Sequence, residues 1–284
     1  MEEAKPLEAA RHEKTQEEQW LHNIHLQHKK RRRRWGRYVS LTQIAILIMM
    51  FLYWEVAGRL KWIDVLLFSY PSKIGAQLWK DVVSGEIWLH TSVTVFETIV
   101  GFLLGTLLGT LIAVLIWWSP FLSKVLDPYL VVLNSMPKVA LGPIFIVMFG
   151  AGFTAIVMTT ISITVIITTL VVYNSFNEVD PNYVKVVRTF GGNRKHIFRK
   201  VIFPASFPAI VSTLKVNVGL AWIGVIVGEF LVAKEGLGYL IIYGFQVFNF
   251  TLVMSSLIVI AVVATVMYQL VAWLERKLMN GREH

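Results

Sequence analysis

No cysteine occurs among the 284 residues, so disulfides and thiolate metal sites are excluded. Charged residues make up only 16% of the chain, too few for the surface of an ordinary soluble domain. No G-x-x-x-x-G-K-[ST] phosphate loop is present, so ATP is not bound by that device. H-E-x-x-H and G-x-S-x-G are also missing, as is any obvious carboxylate pair at metal spacing within the apolar runs. A membrane enzyme is therefore a weak reading, and no catalytic residue, cofactor or metal site is expected.

What fills the sequence is apolar. Hydrophobic residues reach 55% and the mean hydropathy is +0.60, enough for one all-α membrane domain of about six transmembrane helices. The net charge of +9 could suggest nucleic acid, but its distribution argues against that partner. Residues 1–38 form a polar and basic tail. His22, His25 and His28 recur at threes, but no packed scaffold holds the rings as metal ligands. Lys29 to Arg37 then places seven cations directly before an apolar run, the pattern of a cytoplasmic anchor on anionic headgroups. The block lies too deep for a cleavable signal peptide, and no clear small-residue site follows it.

The membrane domain covers 39–284, with spans expected at about 40–57, 93–117, 130–149, 154–173, 209–231 and 251–274. Between the first two, Ile74, Leu78, Trp79 and Val82 share one side of a short amphipathic helix, read as lying on the outer membrane surface. Gly101, Gly105 and Gly109 fall at steps of four, a face that admits a neighbouring helix backbone, most simply inside the chain. The third span is broken by Pro137 and Pro143 and carries Asn134, Ser135 and Lys138; polar, irregular backbone at that depth belongs beside protein or a wet path. The fifth span carries Lys215, Asn217 and Glu229. Ionisable groups in spans are costly and so point to function, which makes these six residues the candidate substrate path. The plainer alternative is that Lys215 and Glu229, about 21 Å apart at roughly 1.5 Å per residue, each reach for their own interface.

The most ordered polar stretch runs from Asp180 to Pro204, D-P-N-Y-V-K-V-V-R-T-F-G-G-N-R-K-H-I-F-R-K-V-I-F-P. Asp180 suits a helix N-cap and Pro181 a first helical residue. Val184, Val187 and Phe190 follow at helical spacing, and Gly191-Gly192 supplies a left-handed stop. Asn193 can cap a second short helix, which Pro204 is expected to end. With the N-terminus inside, seventeen cations fall on inner segments and five on outer ones. That places both termini, and this loop at 178–204, in the cytoplasm.

These residues resemble the E-A-A loop of binding-protein-dependent ABC importer permeases: E-A-A, three residues, Gly, nine residues, then Ile-x-Leu-Pro. Here the slots are Lys185-Val186-Val187, Gly191 and Val201-Ile202-Phe203-Pro204, with Lys185 standing where the family usually has Glu. G-E-F-L-V-A-K-E-G-L-G-Y-L-I, from Gly228 to Ile241, is similar to the ending of the nitrate, sulfonate and taurine subfamily, and M-P-K-V-A-L-G-P-I-F-I-V-M-F-G, from Met136 to Gly150, is a third match.

The resemblance implies a permease of the type I importer fold, driven through alternating access by cytoplasmic ABC ATPase subunits. It further implies a second copy of the chain and an external substrate-binding protein that sets specificity. The implied solutes are small: sulfonates, taurine, nitrate, bicarbonate or thiamine-pyrimidine precursors. In that scheme Asp180 and Pro181 start the docking helix, and Tyr183, Val184, Val187 and Arg188 are its contacts. Gly191 allows the turn, and Pro204 fixes re-entry into the membrane. The rival is a secondary transporter working without an ATPase, which would show inverted repeats; none is clear, and it leaves the basic loop without a task. A membrane-anchored nucleic-acid or lipid-binding protein would need only the basic tail.

Overall fold

The computed structural model describes residues 35–36 and 38–280. The three tail histidines, the basic block up to Arg34 and Arg37 lie outside the described residues. The chain divides after Ile63 into two units. In the first, helix α1 (Tyr38–Arg59) is apolar along its length, and Arg59 Nε donates to Glu55 Oε1 at 2.6 Å one turn away.

The second unit is built on α7 (Phe153–Asn177), with α4 (Glu86–Trp118) and α10 (Phe203–Val232) packed on two of its faces. Helix α7 is rich in threonine yet sits deep. Thr159, Thr160, Thr164 and Thr168 each donate to the carbonyl four residues back, at 2.7–3.0 Å, so each of these four hydroxyls has an acceptor. The glycine ladder of α4 lies directly against this threonine ladder. A Cβ on Gly101, Gly105 or Gly109 would fall within 2.8 Å of Thr160, Thr164 or Thr168 respectively. On the other flank Gly224 and Gly228 of α10 meet the backbone of Thr160 and Ile156. Close approach inside one chain is thus what the steps of four serve, as the sequence suggested.

Helices α11 (Leu237–Gln246) and α12 (Phe250–Asn280) close the bundle against α10. Helix α2 (Val65–Phe68) is a single turn before α3 (Pro71–Ser84). In α3, Ile74 and Asp81 turn inward and Trp79 outward, so Trp79 leaves the side that the sequence assigned it. Gln77 Nε2 donates to Asp81 Oδ1 at 2.8 Å, and burial raises the Asp81 carboxyl above the usual carboxylate range.

Two elements differ from the sequence expectation. The third span is broken, as its prolines suggested, but it starts earlier than expected and only one of the two prolines breaks it. Helix α5 (Pro120–Ser135) starts within what reads as a cytoplasmic turn, capped by Ser119 Oγ accepting from Leu122 N at 3.2 Å. It stops at the extended Met136, because a residue before proline avoids helical backbone. A short 3-10 turn (Lys138–Leu141) leads to α6 (Gly142–Phe149), bent 94° from α5. Pro143 lies in the first turn of α6, where its missing N–H is harmless, so Pro137 alone makes the break. Among the described residues, five helices are long and apolar enough to cross a membrane, six with the bent pair counted as one span.

Pro204, secondly, does not end a helix. Helix α9 (Arg194–Ile197) passes into a π turn (Phe198–Ile202) and straight on into α10, giving 39 continuous helical residues from Arg194 to Val232. The π turn is the reason. Phe203 N–H reaches back to Phe198 O, five residues away. The widened turn brings Pro204 in at a first-turn position, where proline needs no donor.

Candidate functional site

Two polar regions stand out from the apolar bundle. The first is the pair α8 (Pro181–Thr189) and α9. Asp180 Oδ1 accepts from Asn182 N at 2.8 Å, capping α8. At the other end Gly191, at φ +77°, makes the left-handed turn, with Gly192 N–H on Val187 O and Gly191 N–H on Arg188 O, both 2.9 Å. These two bonds complete a Schellman stop. Asn193 then caps α9: its Oδ1 accepts from His196 N at 3.1 Å, and His196 Nδ1 accepts from Asn193 N at 3.4 Å.

Helical spacing alone does not tell which face of α8 points out. Val184 and Val187 turn inward onto Ala113, Val172 and Phe176 at the ends of α4 and α7, and onto Ile197 of α9 and Ile202 of the π turn. They seat the helix on the bundle. The outward row is Tyr183, Val186 and Phe190, of which Tyr183 is 63% and Phe190 86% exposed. Lys185 and Arg188 flank this row and, with Pro181, Gly191 and Arg194, line a cavity of about 830 Å³ under the helix pair. Arg194 is held hard. Its guanidinium donates to Trp117 O at 2.6 Å and lies 5.1 Å over that indole ring.

The second region gathers some of the path residues and scatters others. Asn134 and Ser135 are exposed at the α5–α6 bend. There Ser135 Oγ donates to Val131 O at 2.9 Å, and Lys138 Nζ to Asn134 O at 2.7 Å. Lys215 pairs with Glu275 of α12 at 2.8 Å, and Ser212 Oγ donates to the same carboxylate at 3.0 Å. Asn217 is fully buried between three helices, its Nδ2 donating to Thr106 of α4 at 2.8 Å and Thr168 of α7 at 2.7 Å. Lys215 and Asn217 therefore tie helices together. Replacing Lys215 with Met should lower the melting temperature by leaving Glu275 buried without its cation. Adding Glu275→Gln should recover about half of the loss or more, because the pair is coupled; a double variant no more stable than the single one would mean that the ion pair contributes nothing.

Glu229 is 2% exposed and serves as a clasp. Its Oε1 accepts from Thr94 Oγ1 of α4 at 2.6 Å and its Oε2 from Gly238 N–H at 2.6 Å, in the first turn of α11. Thr94 Oγ1 also accepts from Leu237 N–H at 2.8 Å, and His90 Nδ1 from Gly236 N–H at 2.9 Å. An acid at a helix N-terminus meets free N–H donors and the positive end of the helix dipole. Room for it comes from glycine. A Cβ on Gly236 or Gly238 would fall within 2.8 Å of the Glu229 carboxylate, and Gly236 is at φ +115°. The G-E…G-L-G spacing thus encodes a carboxylate and the two gaps that admit it.

His90, Thr94 and Glu97 were not singled out from the sequence. The signal was there: Glu97 is an acid inside a 33-residue apolar helix, and 90, 94, 97 and 101 share the face that carries the glycine ladder.

The family described as binding-protein-dependent transport system inner membrane component matches residues 105–280. The chain is similar to the riboflavin transport system permease protein RibX of Chloroflexus aurantiacus, 31% identical over 237 residues, covering 82% of this chain and 87% of that one. It is also similar to the taurine transport system permease protein TauC of Escherichia coli, 22% identical over 268 residues, 91% and 96% of the two chains. Among solved structures, a bacterial ABC transporter involved in the import of the acidic polysaccharide alginate superposes at a TM-score of 0.60 with 15% identity, covering 88% of this chain and 98% of that one.

Proposed function

This chain belongs to the binding-protein-dependent transport system inner membrane components, as a multi-pass ABC importer permease, and we propose that ATP-driven movement enters it through α8. The observation that carries this is the division of labour on α8. One face is seated on α4 and α7 through Val184 and Val187. The opposite face presents Tyr183, Val186 and Phe190 to solvent. An amphipathic helix with an aromatic row outside the bundle fits a groove on another protein, and that protein is a cytoplasmic ABC ATPase. Asp180, Pro181 and Gly191 fix the helix ends; Lys185 and Arg188 add charge beside the row.

On this reading the chain does no bond chemistry itself. Both termini face the cytoplasm, a second copy completes the translocation path, and an external binding protein delivers a small solute of the kind carried by sulfonate, taurine, nitrate, bicarbonate or thiamine-precursor importers. Of the six path residues, Asn134, Ser135 and Lys138 at the exposed α5–α6 bend remain on the path. Lys215, Asn217 and Glu229 hold the frame around it.

Co-purification with the ATPase encoded nearest to this chain tests the docking row. The double substitution Tyr183→Asp/Phe190→Asp should abolish the complex while leaving a monodisperse permease, since both side chains are already in water and burying a carboxylate in an apolar groove is costly. An undiminished complex overturns the docking role of this row.

A further inference from the structure

His90 lies near the end of α4 that is far from the α8–α9 corner, 27 residues before Trp117 and about 40 Å from it at roughly 1.5 Å per residue. The ring is 6% exposed, and its Nδ1 accepts from Gly236 N–H at 2.9 Å. An imidazole nitrogen that accepts carries no proton, so this ring is neutral and holds its proton on Nε2. Gly236 N–H is the first of three consecutive donors at the start of α11. Leu237 N–H goes to Thr94 Oγ1 and Gly238 N–H to Glu229 Oε2. The three acceptors differ in what a proton does to them. A hydroxyl takes none up, and a protonated carboxyl keeps acceptor capacity. An imidazolium has two N–H donors and accepts nothing.

Titratable and charged groups stand on most of the elements packed around this ring. On α4, Glu86 is exposed one turn before His90, and Glu97 follows two turns after it. The turn before Gly236 carries Lys234 and Glu235, both exposed. Tyr239 of α11 stacks on the imidazole at 5.9 Å. Glu229 of α10 is one bond further on, at Thr94 Oγ1. Asp81 of α3 is buried and already engaged by Gln77. From α12 come Val259 and Ile260, packed against the start of α11, which do not ionise.

We propose that His90 is a proton-operated latch on the 233–236 turn. While the ring is neutral, the turn and the start of α11 are fastened to α4. A proton taken up at Nδ1 sets two N–H groups against each other, and the turn lets go. The bond therefore stabilises the turn at neutral pH, and that contribution is lost as the pH falls through the titration of this ring. By the cytoplasmic placement of α8 proposed above, on which this clause rests, the protons that act here are those outside the cell.

The full chain is tested with its ATPase subunit in detergent, where both faces meet the same pH and the outcome is independent of which way this end of α4 points. Nitrogen NMR of histidine-labelled protein, with the His90 signal identified by its loss in His90→Asn, should show a neutral ring protonated at Nε2 at about pH 7.5 and an imidazolium by about pH 5. Protection of the Gly236 amide, corrected for the intrinsic exchange rate at each pH, should fall about tenfold or more over the same range and at the same midpoint. His90→Asn, whose Oδ1 takes the place of Nδ1 without titrating, should hold its protection constant. His90→Leu should be unprotected throughout. A ring still neutral at about pH 5 overturns the proposal, as does protection that does not follow the ring or that falls equally in His90→Asn. If His90→Leu does not fold, the wild type and His90→Asn decide alone.

Discussion

Gly224→Leu should leave no monodisperse protein to purify, while Gly219→Leu on the same helix should behave like the wild type. The two glycines sit five residues apart on α10, and only Gly224 has a second glycine four residues away. A Cβ at Gly224 would stand 2.7 Å from the Cα of Thr160, with the Thr160 Cβ and Oγ1 at 3.1 and 3.0 Å. The nearest obstacle is backbone of the central helix, which no rotamer change removes. At Gly219 nothing lies within 4 Å of the added atom. Overpacking by one or two carbons costs about 1–3 kcal/mol when side chains can yield. Four carbons driven against fixed backbone must separate α10 from α7 and take the Asn217 bonds to Thr106 and Thr168 with them. Size-exclusion profiles of the two variants, expressed side by side, decide it; a monodisperse Gly224→Leu protein would mean that α10 and α7 are not packed on this seam.

Glu229→Leu is the second large loss. Leucine fills most of the space but accepts nothing. Gly238 N–H loses its acceptor inside the bundle, and Thr94 Oγ1 loses its bond to α10 while keeping those to His90 O and Leu237 N–H. An orphaned buried polar group costs about 1–3 kcal/mol, and the tie between α10 and the start of α11 goes with it. The effect should be local first, because the turn before Gly236 is exposed at Lys234 and Glu235. Tryptic cleavage after Lys234 should accelerate by about tenfold or more in micelles. Equal cleavage rates in the variant and wild type would show that the clasp does not hold the turn. Gly236→Val should reach the same end by another route, pressing a methyl group onto the carboxylate at a backbone angle that valine resists.

Much of α8 and α9 was legible because it is written in local chemistry. Asp180, Pro181, the Gly191-Gly192 stop and the Asn193 cap each act within a few residues of themselves, and each is found doing what its type does. The face of α8 was not legible. Val184 and Val187 point to the bundle only because α4 and α7 end beneath them, a fact about residues some seventy and ten positions away in sequence. Pro204 misled for a related reason. Proline reads as a stop in an α-helix, and only the i to i+5 bond of the preceding turn, which has no strong sequence mark, lets the helix run through it. Lys215 and Glu229 were rightly seen as unable to pair with each other. Their actual partners, Glu275 and the α11 N-terminus, come from other elements, and no spacing within α10 could name them.

The passage from α9 through the π turn into α10 has a mechanical consequence. Arg194 and Glu229 stand 35 residues apart on this continuous helix, about 53 Å of path at roughly 1.5 Å per residue, from the guanidinium locked on Trp117 to the carboxylate locked on Thr94. Each end of this strut is clamped to α4, one near its tail and one near its head. Strut and α4 therefore form a truss with α7 as the web between them. A load applied at the α8–α9 corner enters this frame at the clamped Arg194, and the π turn and Pro208, both between the two clamps, are the points at which the helix can bend under it.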